Sequence, residues 1–223
     1  CYDGLLELYK ITKNPDYLKA VEATVRNIID EEINIAGSGS AFECFYHGKR
    51  LQTDPAYHTM ETCVTMTWMK LCQNLLDLTK NPLYADQIEK TTYNALLAAL
   101  KEDAGQIAKY SPLEGVRSAG EHQCGMHVNC CNSNGPRAFA MIPTAAVLSS
   151  NDSLFVNLYG PSTTKASLGK NEISLEQTTA YPEDGDIEIA VNAPRNLEFA
   201  VAVRIPAWSE VSRVAVNGES IGD

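Results

Sequence analysis

The sequence predicts a mainly α-helical domain followed by an antiparallel β domain. Leu-rich runs with helical spacing fill the first two thirds of the chain, and within them a helix–turn–helix unit occurs twice. Near residue 150 the pattern changes to short alternating runs, the mark of strands.

The repeat is the clearest of these signals. Residues 12–22 read TKNPDYLKAVE and residues 79–89 read TKNPLYADQIE, 67 positions apart. A Leu-rich run precedes each copy, LLELYKI at 5–11 and LCQNLLDL at 71–78. In T-K-N-P one helix ends and another begins. Pro suits a first helical turn because its missing N–H needs no partner there. Helices are expected at 3–12, 16–32, 60–79, 83–101 and 134–149. In the third, Val64, Trp68, Leu71, Leu75 and Leu78 recur every three or four positions and define one buried face. Residues 95–100 are apolar nearly all round, so that helix end is expected to be buried on several sides.

The strand-like runs are LFVNLY at 154–159, EISLEQT at 172–178, DIEIAV at 186–191, EFAVAVRI at 198–205 and RVAVNG at 213–218. Asn217-Gly218 is a tight-turn signal. The natural division is therefore 1–150 and 151–223. Five helices of repeated hairpins cannot close a ring, and the β pattern stops at a turn. Both domains are expected to be parts of larger ones, with Cys1 an arbitrary start inside a longer protein.

Composition narrows the function classes. The 223 residues are 44% hydrophobic and 21% charged, with a net charge of -10. That charge argues against a nucleic-acid groove, and no apolar run is long enough for a membrane span. A neutral ligand such as a sugar fits the balance. The compartment stays open, since thiols favour a reducing one while a bound metal protects them in a periplasm. Homo-oligomer formation is equally open.

Seven cysteines stand at 1, 44, 63, 72, 124, 130 and 131. The odd count and irregular spacing do not resemble a disulfide framework. Adjacent Cys130-Cys131 would strain a mutual disulfide, so two thiolates sharing a task is the better reading. In TMETC at 59–63, Glu61 and Cys63 are two residues apart. On an ideal helix they would diverge by about 200°. They converge only if this segment is still entering the helix. Together Glu61, Cys63, Cys130 and Cys131 make a donor set that Zn2+ accepts. Cys72 reads as core, and Cys44 and Cys124 read as ordinary buried cysteines.

METC followed by a helix, then LYADQIEKTTYNALLAAL, KYSPLEG and NCC-x-x-N-G, resembles the β-L-arabinofuranosidase family, glycoside hydrolase family 127. The likeness covers about residues 40–150, and VRIPAW at 203–208 and VAVNGE at 214–219 resemble the β-sandwich that follows its helical barrel. The resemblance implies a six-hairpin (α/α)6 barrel, an antiparallel β-sandwich and a retaining mechanism with a cysteine nucleophile. Position by position, it makes Cys130 the nucleophile and Glu61, Cys63 and Cys131 zinc ligands, with Cys130 at or near the metal. It makes Glu89 and Tyr110 sugar-binding residues. The structural alternative for Glu89 is a role shared with Glu22, its repeat partner. For Tyr110 it is a partly buried strand aromatic.

The resemblance is incomplete at the acid/base. Relatives have a Glu after a Gly ahead of E-T-C, where this chain has Gly48-Lys49. Glu43, flanked by 40–42 and Phe45-Tyr46, is the preferred candidate and Asp54 the other. Relatives often carry a further Cys where this chain has Val128, and Pro-Pro where it has Asn132-Ser133. His127 and His58, each three residues before a proposed ligand, could orient a ligand or touch substrate. His47 and His122 read as loop residues. A helix start near 134–137 would aim backbone N–H groups at the thiolates. The readings to be separated are the glycosidase, a carbohydrate-binding or scaffold protein with a closed structural zinc site, a two-carboxylate glycosidase, and zinc-free buried cysteines.

Overall fold

The computed structural model describes residues 1–39, 45, 49, 59–101, 106–117 and 129–221. Glu43, Asp54, Cys44, Cys124, Val128 and all four histidines lie outside the described residues. The chain forms two compact units, 1–145 and 146–223.

The first unit is built from α1 (Tyr2–Thr12), α2 (Pro15–Glu31), α3 (Thr62–Thr79), α4 (Pro82–Thr91) and α5 (Cys131–Ala146). The T-K-N-P repeat makes two hairpins of matching geometry. Lys13 and Lys80 close α1 and α3 in the left-handed conformation, at φ 57° and 58°. The hydroxyls of Thr12 and Thr79 each donate to the carbonyl four residues back at 2.7 Å and accept an Asn N–H at 3.2 Å. Asn14 and Asn81 cap the next helices by accepting the N–H two residues on, both at 3.0 Å. Pro15 and Pro82 take the first helical positions.

Helix α3 is the spine of this unit. Val64, Trp68, Leu71 and Leu75 are buried, while Leu78 is only half-buried. Met66, Met69, Cys72 and Leu76 are buried too, so the helix is covered on most of its circumference. Asp3 of α1 ties onto it, accepting from Lys70 at 3.0 Å and Asn74 at 2.7 Å.

Three sequence expectations differ from the structure. The helix expected over 83–101 is α4, one π turn over Thr92–Leu96 and a last helical pair at 97–98, so it ends at 98 with a π turn inside it. Ala95 donates its N–H to Ala36 O at 3.2 Å, and the Asn94 amide donates to Lys90 O at 2.8 Å. Competing partners such as these open the regular ladder. This end is also less buried than expected, because Leu97 is 42% exposed beside fully covered Leu96. The last helix begins earlier than expected, at Cys131, and its predicted tail is strand β1 (Val147–Ser149).

The second unit holds β1, β2 (Ser153–Val156), β3 (Ser162–Leu168), β4 (Asn171–Thr179), β5 (Ile187–Asn192), β6 (Ala200–Val203), β7 (Ala215–Val216) and β8 (Glu219–Ser220). Two three-stranded sheets, β1-β2-β6 and β3-β4-β5, share one apolar cluster of Leu154, Val156, Leu168, Ile173 and Leu175. The pairing is antiparallel except that β2 and β6 run parallel, so the first sheet is mixed. Asn217 and Gly218, both at positive φ, join β7 to β8 as the tight turn their sequence predicts.

Candidate metal and active site

Glu61 sits outside α3 as its N-cap residue, extended at φ -60° and ψ 130°, and the helix begins at Thr62. This entry geometry lets Glu61 and Cys63 face the same point. Met60, just before them, holds a left-handed φ of 48° although it is not glycine. Such conformations cost energy and cluster at functional sites.

A short extended segment holds this entry in place. Thr62 donates its N–H to Lys109 O at 3.0 Å and its hydroxyl to Ala108 O at 2.7 Å, and Ser111 donates to Thr59 O at 3.1 Å. On its other side the segment bridges Leu100 to Ile107, and Ala108 donates to Ala99 O at 2.7 Å. The head of α3, residues 99–100 and residues 107–111 therefore form one braced structure.

The head of α5 supplies the rest. Asn129 accepts the Cys131 N–H on Oδ1 at 3.0 Å, an Asn cap of the kind seen in the repeat. Gly135 presses onto Ile107, and a Cβ there would stand 2.8 Å from Ile107 Cγ1. The helix head is thus seated directly on the braced segment.

The result is a cluster of four side chains. Cys63 Sγ lies 3.0 Å from Cys130 Sγ and 3.2 Å from Cys131 Sγ. Cys131 Sγ lies 3.9 Å from Glu61 Oε1, and the four donor atoms all fall within 4.8 Å of one another. Glu61 and Cys131 are fully buried, and Cys63 and Cys130 are partly open. Asn134 donates its side-chain N–H to Cys63 Sγ at 3.1 Å. The cysteines are free thiols and could hold a metal ion together with Glu61.

Without a metal, Cys63 and Cys130 are held protonated. The neighbouring Cys131 thiol and burial push Cys63 far above the ordinary value of 9.0. Burial and the Cys63 thiol also raise Cys130. Crowded sulfurs cannot all ionise against one another. A divalent ion reverses that balance by deprotonating the thiols it binds.

Tyr110 and Glu89 are both among the described residues. Tyr110 is buried, with its ring centroid 5.2 Å from Lys109 Nζ. Glu89 is buried in α4, one turn before Tyr93, whose phenol pKa is raised by burial and by the Glu89 charge. Its repeat partner Glu22 is only half-buried, so the two copies are not equivalent. Tyr93 lines a cavity of about 630 Å³ together with Met60, Asn94, Ser111, Pro112 and Arg117. That volume suits a small ligand. Met60 adjoins Glu61 and Ser111 adjoins Tyr110, so the cavity touches both segments that carry the site.

Sequence reasoning missed three residues. Asn129 and Asn134 were legible only as polar neighbours of the cysteines, although Asn two residues before a helix position is the capping spacing of the T-K-N-P repeat. Lys109 is a buried lysine beside the cluster. Burial opposes its charge, but Tyr110, Glu61 and Cys130 together hold its pKa above the usual range.

The family model for the β-L-arabinofuranosidase GH127 catalytic domain matches residues 2–144, and that for the GH127 middle domain matches 153–223. The chain belongs to the GH127 family. It is 26% identical over 211 residues to a non-reducing end β-L-arabinofuranosidase of Bifidobacterium longum subsp. longum, matching 87% of this chain and 32% of that protein. The solved GH127 β-L-arabinofuranosidase from Geobacillus stearothermophilus T6 superposes with a TM-score of 0.82 at 26% identity, over 99% of this chain and 36% of that one. A second GH127 β-arabinofuranosidase gives a TM-score of 0.80 at 26% identity, over 99% of this chain and 37% of that one. The GH127 chain therefore spans about a third of the length of these relatives.

Proposed function

We propose that this chain carries the metal-thiolate centre of a retaining glycoside hydrolase that acts on β-L-arabinofuranosides or a related glycoside. The observation that carries the reading is the convergence of Glu61, Cys63, Cys130 and Cys131 within 4.8 Å, next to a sugar-sized cavity. Residues 1–150 would be the later part of an (α/α)6 barrel and 151–223 the start of a β-sandwich. The partner is a carbohydrate substrate. Among the described residues no helix is long and apolar enough to cross a membrane.

The donor set fits Zn2+. Bond lengths of roughly 2.0–2.3 Å in a tetrahedron put ligand atoms about 3.3–3.8 Å apart. The four atoms are already near that spacing, and thiolates with one carboxylate suit a borderline-soft ion. When bound, zinc keeps coordinated thiols ionised at neutral pH.

The chemistry then belongs to the chain. Cys130, the more open member of its pair, presents a thiolate to the anomeric carbon. Its sulfur forms a bond to C1 as the glycosidic C–O bond breaks, giving a thioglycoside. Glu43, as general acid, protonates the departing oxygen. Its carboxylate then takes a proton from water as that water displaces the sulfur, which completes a retaining cycle. Glu89 and Tyr110 hold sugar hydroxyls, and the Asn134 amide steadies the Cys63 sulfur.

The test is hydrolysis of an aryl β-L-arabinofuranoside with intact-mass analysis of quenched enzyme. A glycosyl adduct on Cys130, and a Cys130→Ser rate lower by roughly 10³-fold or more, support the reading. Turnover by Cys130→Ser near the parent rate, with no adduct, would contradict it and point to a two-carboxylate mechanism.

A further inference from the structure

Lys109 has the properties of a counter-ion. It is 8% exposed as a residue, and burial works against its charge. Among the described residues no carboxylate lies within ion-pairing distance of it. A buried lysine in that position is costly unless other negative charge faces it. Its backbone carbonyl binds the N–H of Thr62, the residue between Glu61 and Cys63, which fixes Lys109 against the donor set. Glu61 at the head of α3 and Cys130 at the head of α5 both act on its charge, and Tyr110 lies against the ammonium.

The charge count gives this placement a purpose. Three thiolates and one carboxylate bring four negative charges to an ion that carries two positive ones. Two negative charges remain in a largely buried site, and Asn134 supplies only a neutral donor. A nearby cation would offset part of that charge, and Glu61 and Cys130 both act on the charge of Lys109.

We infer that Lys109 is a positioning residue of the metal centre, its buried ammonium offsetting the excess negative charge of Glu61, Cys63, Cys130 and Cys131 so that the centre holds its ion tightly. This rests on reading those four side chains as metal ligands. It assigns Lys109 no contact with substrate.

The experiment measures zinc affinity by chelator competition on the purified protein, for the parent, Lys109→Met, Lys109→Gln and Lys109→Arg. Methionine keeps the apolar stem and removes the charge, and glutamine serves if that variant fails to fold. Cobalt substitution at saturating metal, read by its sulfur-to-metal absorption, checks that the ligand set is intact. Zinc affinity is expected to fall about 10–100-fold in the neutral variants and to return to within about threefold in Lys109→Arg, with the cobalt spectrum unchanged. A neutral variant that binds zinc within fivefold of the parent overturns the role of Lys109 and leaves the metal reading standing. A parent protein that binds no zinc overturns the metal reading itself, and this inference with it.

Discussion

Gly135→Ala tests whether the head of α5 is seated on residues 107–111 as closely as the site requires. The new Cβ would lie 2.8, 2.9 and 3.0 Å from Ile107 Cγ1, Cγ2 and Cδ1, where ordinary contact is 3.4–4 Å. Both γ carbons are involved, so rotating the end of the side chain cannot relieve the clash. The first torsion of a β-branched residue is stiff, which leaves movement of the helix or of the segment. Overpacking of this kind costs about 1–3 kcal/mol, and the better helix propensity of Ala returns up to about 1 kcal/mol. A net loss of about 1 kcal/mol is expected.

The sharper measurement is a double-mutant cycle with Ile107→Ala, read by urea denaturation at one fixed metal state. Ile107 is 8% exposed, and its truncation alone should cost about 2–5 kcal/mol. In the double variant the Gly135→Ala penalty should vanish, giving a coupling of about 1–3 kcal/mol. Ile107→Val keeps both γ carbons and should relieve little of it. Effects that add to within about 0.5 kcal/mol would refute the close packing of α5 on this segment.

Asn134→Ala removes the amide that donates to Cys63 Sγ and should weaken zinc binding about tenfold in chelator competition, with little change in the melting temperature of the metal-free protein. Asn129→Ala removes the cap on the Cys131 N–H and should cost about 1 kcal/mol of unfolding free energy in denaturant titration. The metal-free protein should lose stability as pH rises above about 9, because Cys63 and Cys72 have raised pKa values when folded and the unfolded chain releases their protons first. Denaturation of chelator-treated protein at pH 7 and pH 10 measures this, and Cys63→Ala should reduce the alkaline loss.

Much of the fold was legible because local chemistry determines it. T-K-N-P places a Thr bridge, a left-handed Lys, an Asn cap and a Pro start in four consecutive residues, and both copies fold alike. Asn217-Gly218 needs only its own two positive φ angles. Strand β3, STTKASL, was missed because its apolar content is low and pairing with β4 determines it. The π turn after Thr91 was missed because the Ala36 carbonyl that Ala95 meets is distant in sequence.

The candidate site divides the same way. The angle between Glu61 and Cys63 on a helix already required an extended Glu61, and the N-cap geometry meets that requirement. No local pattern pointed to Lys109, since its burial arises only when 107–111 runs beside 59–62. Glu43 falls outside the described residues, so its role rests on sequence alone.

If Glu61, Cys63, Cys130 and Cys131 bind a single ion between them, the metal content of the protein depends on each of these side chains. Elemental analysis of protein purified under reducing conditions tests it most directly, alongside Cys63→Ala and Cys131→Ala. One zinc per chain is expected in the parent, and its loss in both variants. A correctly folded parent without metal, whose cluster thiols all react with a thiol reagent, would contradict it.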